Sequence, residues 1–291
     1  MNWRKIESIV HFDNADNIGD GFRMMNFIPN HRNMSMVRMR PFLMLDYNPV
    51  TYFPSGSKVS VSGAHPHKGY ETVSIVYNGV LNHRDSSGNS FLLEAGDVHW
   101  MTAGNGIVHQ ENIDEHFMQK GGLFQYVQLW VNLPKEKKGL PASHQLFKND
   151  QLTKVKLDNN AGMLEIIAGE FGDDKGMAKT QTAIHVYNLL LNEDGEAEII
   201  LPAKYNTGLL VVDGHILLND ETPVPESAAV VFANNAETFK VTSVSRDGPT
   251  VLIFSGEIID EEISAHGPFI MNKKQEVIEA YNDFKAGKLG N

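Results

Sequence analysis

Short β-branched or aromatic runs, separated by turn signals, dominate the first half of the chain, with no helical pattern between them. Between residues 59 and 131 a turn recurs about every eight to twelve residues, as in antiparallel β proteins. TVSIVY (72–77) and VLNHRD (80–85) flank Asn78-Gly79, a strong hairpin signal. FLLE, VHWMT, IVHQE and LFQYVQLWVNL follow. The pattern predicts a compact run of strands.

The second half of the chain repeats this rhythm. Strand-like runs such as AIHVYNLLL, GLLVVDG, AAVVFA and TVLIFSG are divided by Asp-Gly, Pro or Asn-rich turns. Only the tail differs, because Val277, Ile278, Tyr281 and Phe284 recur at helical spacing before Gly287. We therefore predict a C-terminal amphipathic helix that packs against a barrel.

A polar run lies between the two halves. KEKKGLPASH, which starts at residue 135, contains Gly and Pro, and we expect an exposed linker with solvated lysines. A boundary there divides the chain into two β domains, 1–138 and 139–291. The predicted fold class is all-β, with two tandem antiparallel β-barrels and a short C-terminal helix.

Composition narrows the classes of function. The chain of 291 residues is 42% hydrophobic, and no run approaches the roughly 20 apolar residues of a membrane helix. The amino terminus turns polar before an export signal can form, so we expect a cytoplasmic protein. The 36 acidic and 25 basic residues leave a net charge of -11, which disfavours nucleic acid and anionic lipid as partners.

The histidines suggest a metal site. The chain has no cysteine, so a metal must be held by histidine, carboxylate or water. AHPHKGYETV places His65 and His67 two positions apart, and GIVHQE places His109 and Glu111 at the same spacing. One His-x-His pair is close to what chance supplies for 12 histidines, but residues i and i+2 of a strand share a face. Two such pairs in one barrel can converge on one cation and leave room for water or substrate.

The order of these motifs resembles the pirin family, a branch of the cupin superfamily. HPHKGYETV, NGVLNHRDSSGN and AGDVHWMTAGNGIVHQE carry the resemblance, and RPFLMLDY, VQLWVNLP and HGPFIMN extend it over nearly the whole chain. Pirins are bicupins, with two jelly-roll barrels in tandem, which agrees with the turn pattern. The resemblance implies His65, His67, His109 and Glu111 as ligands of one divalent transition metal per chain. The metal is expected to be Fe(II), with Mn, Ni, Co, Cu or Zn as substitutes.

The resemblance also implies an activity. It points to a quercetin 2,3-dioxygenase-like oxidoreductase that opens the ring of a flavonol with O2, and Glu111 would take the proton of the 3-hydroxyl group. Two alternatives stay open: an iron-binding, redox-responsive regulator with a protein partner, and a cupin isomerase or lyase acting on a small metabolite. All three share fold and ligands, so fold analogy does not choose between them. The expected partners are a small aromatic or enolic substrate and O2, without direct nucleic acid or membrane binding.

Four further side chains deserve separate expectations. His99 stands where pirins commonly carry Gln, and we expect a structural histidine, with a pocket contact as the alternative. Glu71 matches a glutamate that ligates metal in some cupins but not typically in pirins. His83 and His116 lack a partner at strand spacing and are expected on the surface.

The second barrel has no His-x-His pair, so we expect it to hold no metal. Four aromatic and methionine side chains are candidate pocket walls, although core packing is the first expectation for each: Phe53, Trp100, Met101 and Trp130.

Overall fold

The computed structural model describes residues 2–12, 15–18, 22–58 and 63–290. The strands in chain order are β1 (Ile6–His11), β2 (Asp16–Ile18), β3 (Phe22–Ile28), β4 (Phe42–Phe53), β5 (His65–His67), β6 (Tyr70–Asn78), β7 (Leu81–Asp85), β8 (Ser90–Leu93), β9 (Val98–Thr102), β10 (Ile107–Ile113), β11 (Gly122–Asn132), β12 (Ser143–Phe147) and β13 (Thr153–Lys156). They continue as β14 (Gly162–Ala168), β15 (Glu170–Phe171), β16 (Asp174–Lys175), β17 (Ile184–Leu191), β18 (Glu196–Ile200), β19 (Asn206–Asp213), β20 (Ile216–Leu218), β21 (Thr222–Val224), β22 (Ala228–Phe232), β23 (Thr238–Ser243), β24 (Thr250–Gly256), β25 (Ser264–His266) and β26 (Phe269–Met271). The α-helices are α1 (Met36–Met39), α2 (Glu115–Lys120) and α3 (Lys274–Lys285). None of the described helices is long and apolar enough to cross a membrane.

The chain forms two units that are each discontinuous in sequence. Unit 1 comprises Met1–Asp13, Asn30–Pro41 and Asp150–Ile258, and unit 2 comprises Asn14–Pro29, Phe42–Asn149 and Ile259–Asn291. The sequence suggested two continuous domains divided at 138. The units differ from that division because β1 pairs with β22 inside unit 1, whereas α3 packs on β25 and β26 inside unit 2.

Unit 1 is built from two antiparallel sheets around an apolar core. Seven strands pair in the order β1-β22-β19-β24-β17-β14-β13, and four pair in the order β18-β23-β20-β21. The alternation in β18 buries Ala197 and Ile199, while Glu196 and Glu198 face solvent. The buried side chains form one cluster that includes Tyr187, as expected for a cupin barrel closed by two sheets.

Unit 2 repeats this architecture. Seven strands pair in the order β12-β9-β6-β11-β4-β3-β2, and four pair in the order β5-β10-β7-β8. The strands expected around TVSIVY, VLNHRD, FLLE, VHWMT, IVHQE and LFQYVQLWVNL are all present. The all-β prediction with two cupin barrels is confirmed.

The expected hairpin at Asn78-Gly79 is wrong. β6 pairs with β9 and β11, whereas β7 pairs with β8 and β10, so the chain changes sheet at this turn. Gly79 has φ +88°, and a Cβ there would meet the Phe124 ring at 2.7 Å. The glycine therefore allows a tight turn under a packed aromatic ring, and long-range pairing decides where the next strand goes.

The linker prediction is wrong at two places. The Lys138 side chain is buried, and its ammonium donates to the carbonyl of Gly69 at 2.6 Å, to Asn132 Oδ1 at 2.6 Å and to the carbonyl of Ile270 at 3.1 Å. Ser143 already begins β12, which pairs with β9. Polar composition alone does not reveal that a lysine ties three separate segments together.

The C-terminal helix is confirmed as α3, but its packed face is narrower than predicted. Val277 and Ala280 are buried, and Phe284 packs against the same small cluster. Ile278 and Tyr281 remain 46% and 44% exposed. The helix therefore contacts unit 2 through one edge of the expected apolar face.

Candidate metal centre

Three imidazoles from two adjacent strands of unit 2 converge on one point. β5 carries His65 and His67, and β10 pairs with it antiparallel so that His109 lies opposite His65. The Nε2 atom of His109 lies 2.7 Å from Nε2 of His67 and 3.2 Å from Nε2 of His65. The structure thus brings together the three histidines that the motif spacing selected.

Hydrogen bonds determine which ring nitrogen is unprotonated in His65 and in His67. His65 Nδ1 lies 2.9 Å from the carbonyl oxygen of Gly63, and because a carbonyl only accepts, Nδ1 carries the proton. His67 Nδ1 contacts the Tyr70 hydroxyl, which donates its own proton to the carbonyl of Pro268 at 3.2 Å. That hydroxyl must then accept from His67. Both rings present an unprotonated Nε2 to the same point, as metal-binding histidines do.

Burial keeps the central imidazoles neutral. Desolvation and the neighbouring imidazoles hold the pKa of His67 well below its usual value. Desolvation also lowers the pKa of His109 to about 3, although Glu111 opposes the shift. Neutral imidazoles are the form that binds metal, and their facing lone pairs are poorly matched to one another without a cation. The donor set therefore fits a divalent transition metal.

Glu111, the fourth predicted ligand, is buried and held by three side chains. The Tyr126 hydroxyl donates to its carboxylate at 3.0 Å, Gln128 Nε2 at 2.9 Å and Ser74 Oγ at 3.2 Å. Tyr126 and Gln128 alternate along β11, and Ser74 lies opposite Gln128 on β6. None of these three residues was predicted from the sequence, although Tyr126 and Gln128 are two positions apart and so share one face of β11.

The carboxylate of Glu111 lies beside His109 and not among the three converging Nε2 atoms. One of its oxygens groups with one ring nitrogen each from His83 and His109, all within 4.8 Å of one another. Burial would raise the pKa of Glu111, but the neighbouring imidazoles of His83 and His99 outweigh it and hold this pKa well below its usual range. The side chain is therefore a firmly ionised neighbour of the imidazole cluster.

His83 and His99 are both fully buried next to Glu111. Their Nδ1 atoms lie 3.5 and 3.7 Å from Glu111 Oε1. The expected surface position of His83 is wrong, because β7 pairs with β10 and places His83 opposite Glu111. The missed signal was the spacing of His83 and Asp85, which share one strand face. His116, in contrast, is exposed as expected.

The remaining candidates take separate places. Glu71 is buried and accepts from Thr102 Oγ1 at 2.7 Å, and it belongs to none of the ligating groups found among the described residues. The Trp130 ring lies 5.2 Å from the His67 ring, and its Nε1 donates to Gln128 Oε1 at 2.9 Å. The other three candidate wall residues are buried: Phe53, Trp100 and Met101. The ligating groups found in the described part of the chain all lie in unit 2. That the second barrel holds no metal stays a prediction.

Two cupin units, one with a cluster of imidazoles in its interior, define a bicupin with a candidate metal centre. Residues 21–131 match the family model Pirin, and residues 186–290 match the model for the pirin C-terminal cupin domain. A Pseudomonas aeruginosa protein named "Putative quercetin 2,3-dioxygenase" is 34% identical over 98% of each chain. A tomato protein named "Pirin-like protein" is 32% identical over 95% of this chain and 90% of its own. The chain belongs to the pirin family.

A solved structure shows the same architecture throughout. The crystal structure of quercetin 2,3-dioxygenase from Acinetobacter baumannii matches with a TM-score of 0.91 and 34% sequence identity, and the match covers 99% of each chain. The likeness therefore extends over both cupin units and the C-terminal helix.

Proposed function

We propose that this protein is a metal-dependent dioxygenase that opens the ring of a flavonol such as quercetin with O2. The convergence of His65, His67 and His109 Nε2 atoms carries the proposal, because three imidazoles leave coordination positions for substrate. The names of the Pseudomonas aeruginosa relative and of the Acinetobacter baumannii structure support the substrate class.

The three histidines would hold the ion, with Glu111 as the fourth ligand. Nitrogen donors with one carboxylate suit Fe(II), and Mn, Ni, Co, Cu or Zn can take its place in such a set. When bound, the ion supplies Lewis acidity toward a substrate hydroxyl and, if redox-active, the means to engage O2.

The protein side chains would bind the flavonol and take up its proton. Glu111 is the buried carboxylate next to this point, and it receives the proton of the 3-hydroxyl. A carboxylate that accepts three hydrogen bonds is a weak base. Tyr126 or Gln128 must therefore move its hydrogen bond from Glu111 to the substrate as the proton is transferred. The Trp130 ring beside His67 offers an aromatic wall for the flat substrate.

Oxygen uptake tests this proposal directly. The Fe(II)-loaded protein should consume O2 with quercetin, bleach the flavonol absorbance and release carbon monoxide, whereas the apoprotein should not. Glu111→Gln keeps a neutral oxygen but cannot accept the proton, so it should retain appreciable metal and lose rate by about 10² to 10⁴. Glu115→Gln, an exposed position on α2, is the matched control and should keep the wild-type rate.

The proposal fails if wild-type protein with verified Fe, Mn, Ni, Co or Cu shows no flavonol-dependent oxygen uptake. A metal-dependent binding module, in which the metal state changes affinity for a protein partner, would then be the better interpretation. Loss of metal from Glu111→Gln would instead show that Glu111 acts first as a ligand.

A further inference from the structure

A second cluster of ligating side chains lies in unit 2, apart from the three converging histidines. It consists of His83 and Asp85 on β7, His99 on β9 and His144 on β12. One ring nitrogen from each of the three histidines lies within 4.8 Å of the other two. Because all four residues lie on paired strands, the sheets hold the cluster in place.

The members of this cluster contact one another directly. His99 Nε2 lies 3.0 Å from His144 Nδ1. The Asp85 Oδ2 atom lies 3.2 Å from His83 Nε2 and 3.0 Å from His144 Nε2. A carboxylate behind an imidazole fixes its tautomer and raises its basicity, and metal-binding histidines in proteins have such partners.

The three rings lie in the interior, with one route from solvent. His83 and His99 have no exposed surface, and the His144 side chain is 16% exposed. The contact between His99 Nε2 and His144 Nδ1 places two imidazole nitrogens against each other, and a bound cation is a partner that imidazole lone pairs can share.

Two carboxylates lie against this cluster. Asp85 contacts His83 and His144, and Glu111 Oε1 lies 3.5 Å from His83 Nδ1 and 3.7 Å from His99 Nδ1. Carboxylates in the interior favour a bound cation, because buried charges are paired or coordinate metals.

We propose that His83, His99 and His144, with Asp85 behind them, bind a second divalent transition-metal ion of the kind that prefers imidazole, such as Zn²⁺ or Co²⁺. The site does not depend on flavonol turnover. His99 also lies against the first centre, because its Nδ1 atom is 3.7 Å from Glu111 Oε1. The centroids of the His83 and His109 rings are 5.3 Å apart, so a second ion would lie close to the first centre and would act on Glu111 between them.

Metal counting tests the second site with Zn²⁺ alone as the probe. Chelator-treated full-length protein is titrated with Zn²⁺, desalted and analysed for zinc per chain. Wild type should retain two ions, whereas His99→Gln and His144→Ala should each retain one. His116→Ala, which removes an exposed histidine, is the matched control and should retain two. Asp85→Asn should weaken the second Zn²⁺ by about 10- to 100-fold.

A double variant separates this proposal from the proposed function. His65→Ala with His109→Ala should still retain one Zn²⁺, and addition of His99→Gln should remove it. If wild type retains one ion that the double variant loses and His99→Gln keeps, the second site does not exist. If wild type retains one ion that His99→Gln loses and the double variant keeps, the result supports the second site and refutes the three-histidine site. If circular dichroism shows that His99→Gln does not fold, the zinc content of His144→Ala and that of wild type decide the question.

Discussion

The carboxyl of Asp46 should make this protein less stable as the pH rises from the acidic range toward neutrality. Asp46 lies on β4 between Asn26 on β3 and Gln128 on β11, in a row of cross-strand partners. Burial raises the pKa of Asp46 to about 7, although a hydrogen bond from Asn26 opposes the shift. The folded protein therefore keeps a proton on this carboxyl that the unfolded chain loses near the usual pKa of 3.8.

The sign and size of the effect follow from proton linkage. Between pH 3.8 and about 7 the folded state holds the proton and the unfolded state does not, so the free energy of unfolding falls as pH rises. The stabilisation is fully present below the unfolded pKa and is lost as pH passes the folded pKa. Each pH unit corresponds to about 1.4 kcal/mol, so Asp46 should remove about 3 kcal/mol between roughly pH 5 and pH 8.

Asp46→Asn isolates this carboxyl, because the amide has the same shape and cannot ionise. Urea unfolding followed by tryptophan fluorescence gives the free energy of unfolding of variant and wild type at several pH values. Their difference should shift in favour of Asp46→Asn by about 3 kcal/mol from pH 5 to pH 8. For Asp150→Asn, at an exposed position, the difference in free energy of unfolding from wild type should not change with pH. If the Asp46→Asn difference also stays within about 0.5 kcal/mol, the carboxyl is ionised in the folded protein and the reasoning is refuted.

Three further substitutions test the centre and its support. His65→Ala should abolish metal binding at the three-histidine point by elemental analysis while sparing the melting temperature, since the apolar core holds the barrel; full occupancy would place that metal elsewhere. Tyr70→Phe should weaken metal binding by about 10- to 100-fold in a chelator competition, because His67 loses the acceptor that orients it; unchanged affinity would contradict this. Lys138→Met should lower the free energy of unfolding by about 2 to 4 kcal/mol in urea, because three buried acceptors lose their donor, whereas exposed Lys135→Met should change it little; equal effects would deny Lys138 a structural role.

Local spacing predicted the parts of the centre that lie on single short segments. His65 and His67 share one strand face, and His109 follows a second turn signal, so a period-2 argument was enough to group them. β6, β9 and β11 were located in the same local way, because each is a run of β-branched and aromatic residues bounded by turn signals. These features depend on residues close in sequence, and a one-residue slip would have moved each histidine to the opposite face.

Long-range pairing was beyond the reach of such local patterns. His83 is interior because β7 pairs with β10, and an Asn-Gly turn favoured β6 as its partner instead. His144 lies in a stretch whose Gly, Pro and lysines indicated a linker, yet β12 completes the edge of the seven-stranded sheet beside β9. Lys138 is buried only because Gly69 and Ile270 meet it from distant parts of the chain. In each case the deciding partner is many residues away.

The two units show why the fold alone does not define the chemistry. Both combine seven-stranded and four-stranded sheets, but the core cluster described for unit 1 consists of apolar side chains such as Leu189, Leu209 and Val251. In unit 2 a polar row crosses the seven-stranded sheet through Gln128 and Ser74, and Glu111 meets it from the four-stranded sheet. Buried polar groups are tolerated there because most of them hydrogen-bond to one another. The Nε2 atoms of His65, His67 and His109 face one another instead, so they are the atoms at which a metal contributes most.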